Sequence, residues 1–190
     1  MDTIVDEGWD ELAREMQHEV SAYVTALREV TSGEVPEAAL PVLLLAVGQL
    51  CGAGARLGAL VDVVPEERFE PDPGPDADLD GLHERLLELL GGVDTYCDLE
   101  DPVLSAEVAS GSLSADLVAI ADDLHHGALH YEAGHRTEAM WWWQFSYLSS
   151  WGERAAAALR VLLALLAHVR LDAEEEDVME AEMAALHGVD

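Results

Sequence analysis

The chain has 190 residues, half of them hydrophobic, and 39 acidic residues stand against nine basic ones, all arginine, for a formal net charge of -30. That length and apolar share suffice for a sizeable core in one domain and exclude disorder of the whole. The charge excludes direct binding to nucleic acid or to an anionic membrane surface, because the side chains that neutralise phosphate are missing.

In chain order, helices account for nearly everything. Trp9, Leu12, Met16, Val20, Tyr23, Leu27 and Val30 recur at three- and four-residue spacing, which predicts a first helix ending near Thr31 and stopped by Gly33. Pro36 suits a first turn, and the apolar run Leu40 to Leu60 predicts a second, largely buried helix whose start Pro41 delays or kinks. From Val64 to Asp80 the chain turns to Pro, Asp and Glu, a polar connection over 64–77. A third helix follows from about Asp78 to Leu90, closed by Gly91 and Gly92. Val93 to Gly111 reads as one short helix around Asp94 to Leu99 and an irregular link containing Pro102. Ser114, with Leu117, Ile120, Leu124, Ala128 and Tyr131, opens a fourth helix capped by serine and ended by Gly134. A fifth runs from about Thr137 to Val169, and the acidic segment 172–190 is expected to be a peripheral tail, helical in composition.

Two connections share one chemistry. In Ser32-Gly33-Glu34-Val35-Pro36-Glu37-Ala38 and Ala133-Gly134-His135-Arg136-Thr137-Glu138-Ala139, a glycine ends one helix and Glu-Ala begins the next, the acid at the positive end of the helix dipole. These are the turns of tetratricopeptide hairpins, although two distant copies make no solenoid. The expected fold is therefore all-α: a compact bundle of about five to six helices built from two antiparallel hairpins, with no sheet. The hairpins span about 7–61 and 112–169, within a single domain over 1–171.

Met140 to Gly152 holds four of the five tryptophans. Projected at about 100° per residue, Trp141, Phe145, Leu148, Trp151, Gly152, Leu162, Leu163 and Leu166 share one apolar face, and Trp143, Tyr147, Val161 and Leu165 a second. Trp141, Trp143, Phe145, Tyr147 and Trp151 are thus expected in the core. Gly152 should mark a close-passing backbone, and Arg154, on the second face, should be mostly buried against a carboxylate partner. Trp142 falls on the wet strip with Ser146, Ser149, Glu153 and Arg160, which makes it a candidate interaction residue unless the tail or a loop covers it.

The chemistry-bearing patterns are sparse. Asp123, His126 and His130 share a polar helix face with workable metal-ligand spacing, so a divalent metal is the cofactor to test, although a solvated face explains the pattern as well. Asp76-x-Asp78-x-Asp80-Gly81 copies the opening of a calcium loop, but His83 and Leu87 break its continuation, so the aspartates are read as helix caps. Glu66-Glu67-Arg68-Phe69-Glu70 matches half of the acidic motif of all-α nucleotide pyrophosphatases and lacks the Glu-x-x-Asp that completes it. No arrangement suits a serine or cysteine nucleophile, so no catalytic or cofactor-binding residues are assigned. Cys51 and Cys97 stand alone, the N-terminus has acids where a secretory signal has bases, and the run Val161 to Val169 is far short of the roughly 20 residues that span a bilayer. A cytoplasmic protein without a membrane segment is expected.

Asp116-Leu117, Asp123-Leu124, Gly127, Tyr131-Glu132-Ala133-Gly134, Glu138-Ala139, Trp141-x-Trp143-x-Phe145-x-Tyr147, Trp151-Gly152 and Ala158-Leu159-Arg160 together resemble the bacterial family called domain of unknown function 5063, over approximately Val20 to Asp172. The resemblance implies a compact helical, cytoplasmic bacterial protein and brings no catalytic residues. The chain departs from the family pattern at Gln144, Leu148 and Ser150, where Arg, an acid and His are expected. The expected function is a non-enzymatic acidic helical protein that binds or regulates another protein, one with a basic surface. The alternative is a metal-dependent or small-molecule-binding helical enzyme with a carboxylate and histidine pocket, and a mimic of DNA comes third.

Overall fold

Helix α1 spans Asp2–Thr31 and α2 spans Ala39–Gly58, joined through a short 3-10 turn at Pro36–Ala38. The computed structural model describes residues 2–34, 36–60, 62–65, 74–75, 77–99 and 103–187, the first six and the last sixteen of these by backbone alone. Gly33 has a φ of 75°, a conformation that costs a side-chain-bearing residue about 1 to 2 kcal/mol, so the predicted stop falls where it must. Pro41 lies in the first turn of α2, where the missing N–H would have had no intrahelical acceptor, and the helix starts before it. Leu43, Val47, Leu50 and Leu57 of α2 are fully buried between α1 and the C-terminal helix. The stretch Pro36–Gly58 is long and apolar enough, by length and composition, to cross a bilayer, which the survey of apolar runs did not anticipate. Its apolarity also has a use in the bundle, since a helix packed on two sides buries most of its circumference.

Helix α3, Asp80–Leu90, places Leu82, Leu86 and Leu90 in the core and ends at Gly91. The expectation of a short helix at 94–99 and of a fold without a sheet is corrected here. Strands β1, Thr95–Leu99, and β2, Val108–Ser112, form an antiparallel pair in which Thr95 faces Ser112, Cys97 faces Ser110 and Leu99 faces Val108. The physical reason is that Val-Ala-Ser-Gly-Ser has little strand propensity of its own and becomes a strand through its partner. Asp94 fastens the hairpin: its buried carboxylate accepts from the Ser112 hydroxyl and from the Ser114 backbone N–H, both at 2.7 Å.

Helix α4, Leu113–Glu132, is capped by Ser112, whose hydroxyl accepts the Ala115 N–H, rather than by a serine inside the helix. It closes with paired bonds from Gly134 to the Tyr131 carbonyl and from His135 to the His130 carbonyl, around Gly134 at a φ of 88°. Helix α5, Arg136–Ser146, runs into a five-residue π turn, Tyr147–Trp151, and then into α6, Gly152–His187. The predicted fifth helix is thus three elements in one continuous rod, and its backbone stays helical into the acidic segment, to His187.

The π turn explains most of the errors in the projected faces. A π turn inserts one residue, so every position beyond it rotates by about 100° relative to an unbroken α-helix. Phe145 is 51% exposed and Leu148 64% exposed, where the unbroken projection put both on one face with the buried Trp151; Leu163, exposed too, simply lies about 120° round α6 from Trp151. Trp143 and Trp151 are fully buried as expected, while Trp141 and Tyr147 are partly buried against the core. Glycines make room for the aromatics: a Cβ on Gly127 would overlap the Trp143 indole, and one on Gly54 or Gly58 would overlap the Tyr147 ring. The atoms nearest to a Cβ on Gly152 are the carbonyl and ring of Tyr147 in its own rod.

Candidate functional site

Asp116 and Asp123 lie two turns apart on α4, which sets both carboxylates toward the same neighbour, the π turn and the start of α6. Arg154 donates from Nη1 to Asp116 Oδ1 at 2.7 Å, and Ser150 donates to Asp123 Oδ2 at 2.6 Å. Tyr96, from β1, donates to the second oxygen of Asp116 at 2.5 Å. A Cβ on Gly111, across the hairpin, would overlap the Tyr96 ring, so the glycine in β2 permits this reach. The hairpin and the π turn together wall a groove of about 290 Å³ lined by Tyr96, Asp98, Asp116, Ser149, Glu153 and Arg154 among others. Asp98 is paired with Arg160 at 2.7 Å on the same flank.

Arg154 was expected to be mostly buried. Its side chain is 45% exposed, and the buried member of the pair is Asp116. This inverts the energetics: the carboxylate is the group that lost its water, and a guanidinium and a phenol restore its hydrogen bonds. Burial pushes the Asp123 carboxyl above its ordinary range, with the Ser150 hydrogen bond and the Arg154 charge opposing. Tyr96 is raised by burial and by its bond to Asp116, while the Arg160 hydrogen bond holds Asp98 below the usual carboxylate range.

The proposed metal trio does not gather. Asp123 is taken up by Ser150, His126 packs edge-on to the Trp142 ring at 4.4 Å, and His130 is buried with its ring 5.8 Å from that of His126. Among the described residues no group of three His, Cys, Asp or Glu is placed to hold a metal ion. Helical spacing puts the three residues on one face of α4, but Ser150 engages Asp123 and the Trp142 ring packs on His126. Burial lowers the His130 imidazole, and the nearby buried Glu138 partly restores it. Trp142 is half-buried beside His126, Trp141 and Phe145, and its indole N–H has no hydrogen-bond acceptor among the described residues. Between the two helical hairpins a second groove is walled by Trp9, Met140, Asp10 and Arg136, the last two paired at 2.6 Å, with no histidine in its wall. Glu66 to Glu70, Asp76 and Pro102 lie outside the described residues.

The site's other members escaped the sequence because each depends on a distant partner. Asp116 was visible as part of a family pattern, not as a site. Tyr96 sat in the segment misread as helix. Gln144, one of the departures from that pattern, is structural: it donates to the Leu57 carbonyl at 3.0 Å and accepts from the Val63 N–H at 2.7 Å, closing the end of α2.

The sequence profile of domain of unknown function 5063 matches residues 7–168. The chain belongs to that family. Its fold is similar to the crystal structure of protein BF1032 from Bacteroides fragilis, with a TM-score of 0.66 over 82% of this chain and 92% of that one, at 16% identity. At that identity the likeness speaks to the fold alone. The comparison with curated proteins returns no match. The family named domain of unknown function thus supplies the helical architecture, and Asp116, Asp123, Trp151 and Gly152, quoted above for the resemblance, all fall inside the matched span.

Proposed function

We propose that the protein is a non-enzymatic, acidic helical body that binds another protein bearing a basic surface. One observation carries the reading: the outward ridge of α5 and the π turn. Trp141 and Phe145 stack with ring centroids 5.4 Å apart and planes within 10°, and Leu148 continues the ridge one turn on. More than half of Phe145 and of Leu148 remains in water, a poor arrangement for an isolated chain and a good one for the centre of an interface. Trp142 flanks the ridge, half-buried with its ring edge-on to Phe145. The formal charge of -30 would attract a basic partner at long range and repel acidic ones. Free thiols at Cys51 and Cys97 support a reducing, cytoplasmic setting. A second reading, a small-molecule-binding protein, is supported by the groove walled by Asp116 and Arg154.

Photo-crosslinking residues placed at Phe145 and at Leu148 in living cells test the main reading against one at the exposed Glu84 of α3. The expected result is one dominant adduct, with a basic protein, from the first two positions and none from the third. The same adducts from all three positions, or none from any, would overturn it.

A further inference from the structure

The groove between the β hairpin and the π turn has an unusual hydrogen-bond polarity. Four hydroxyls line it, and three have their protons committed elsewhere: Tyr96 to Asp116, Ser150 to Asp123, and Ser149 to the Phe145 carbonyl at 2.7 Å; the fourth, Ser110 of β2, can turn either its proton or its lone pairs to the groove. A hydroxyl whose proton is engaged keeps lone pairs, so toward the groove all three are acceptors. The charges follow the same pattern. Asp116 is matched by Arg154 and Asp98 by Arg160, which leaves Glu153 as a carboxylate on the rim with no hydrogen bond or ion pair among the described residues. Leu99, Ala109 and Ala157 add an apolar stretch to the wall beside Ser110 and Gly111.

We infer that this groove is a binding site for an alkylammonium group, as carried by a free aliphatic diamine or by a lysine side chain. An ammonium has three donors and no acceptor, which matches the lone pairs of Tyr96, Ser149 and Ser150, and its charge is the one Glu153 lacks. Its methylene stem fits against Leu99 and Ala157 while the head reaches Glu153 and the serine oxygens. The groove of about 290 Å³ has room for one such chain. An anion is disfavoured twice, by Glu153 and by the charge of the whole molecule. Arg154 does not oppose the cation strongly, because its charge is spent on Asp116 at 2.7 Å. The inference is independent of the aromatic ridge, since none of Trp141, Phe145 and Leu148 lines the groove.

The test is titration of the full chain, by amide NMR shifts and calorimetry, with cadaverine and with Nα-acetyl-lysine methylamide. N-acetylcadaverine, which keeps one ammonium, should bind as well, and pentanol, which has none, serves as the control. Saturable binding of one amine is expected, with shifts concentrated at Leu99, Ser149 and Glu153, and the tighter probe identifies the source. Glu153 is exposed, so Glu153→Gln should fold normally and weaken binding at least about tenfold, whereas Glu84→Gln on α3 should not change it. Equal effects of the two substitutions would show general attraction to an acidic surface and overturn the site. So would unsaturable binding, or binding of pentanol as tight as that of the amines.

Discussion

At the scale of single residues, four glycines and one histidine carry the sharpest consequences. Gly127→Ala gains about 1 kcal/mol of helix propensity but drives a methyl into the buried Trp143 indole, which donates to the Leu124 carbonyl at 3.1 Å. Overpacking of this kind costs about 1 to 3 kcal/mol, so a net loss is expected on urea unfolding. Gly52→Ala makes the opposite case: nothing lies within 4 Å of its Cβ, and a gain of about 0.5 to 1 kcal/mol should appear in the same assay. Gly54 and Gly58 belong with Gly127, since Tyr147 occupies the space of their side chains. His130 has a folded-state affinity for protons below its ordinary value of 6.5, because burial disfavours the imidazolium. A depressed pKa contributes stability that is present above 6.5 and is lost as pH falls through the folded value. Relative to a His130→Phe variant, the protein should therefore lose stability on acidification from pH 7 to about pH 5, read by thermal melts of the pair in parallel. Glu138, His135 and His126 surround the imidazole, so the difference between the two proteins, not the raw curve, isolates it.

At the scale of elements, the π turn decides the most. Deletion of the exposed Leu148 should convert Tyr147–Trp151 to ordinary α-helix while leaving Trp143 and Trp151 in their sites. Circular dichroism should show full helicity and a melting temperature within a few degrees of the parent, whereas one alanine inserted after Ala158, amid the buried face of α6, should lower it sharply. Equal damage from both changes would mean that the turn is not a one-residue insertion. The hairpin is held at its base by Ser112, which caps α4 and donates to Asp94. Ser112→Ala should cost about 1 to 2 kcal/mol, seen as a lower denaturation midpoint with an unchanged slope. Helix α6 illustrates why element boundaries were hard to place: the acidic residues after Asp172 have strong helix propensity, and nothing local ends the helix before His187.

At the scale of the molecule, the charge and the packing pull in opposite directions. Thirty uncompensated negative charges repel one another across a domain-sized body, and salt screens them. The melting temperature should rise between about 10 and 300 mM sodium chloride, by more than a few surface ion pairs such as Arg56 with Glu15 could lose. A flat or falling profile would mean that ion pairs outweigh the repulsion.

The helical class, the two hairpins and their glycine stops were legible from the sequence, because a periodicity of 3.6 residues and a positive φ at Gly33 and Gly134 are local requirements that local residues must meet. The groove was not legible. Tyr96, Asp116, Ser150 and Arg154 are spread over nearly 60 residues, and their meeting depends on a strand that exists through its partner. It depends equally on a π turn that shifts every later residue by one position, and no residue at 147–151 announces that insertion. Such a turn forms when packing on both sides demands two different phases of one helix, here Trp143 against Gly127 and Trp151 against Gly54, so tertiary structure alone decided it.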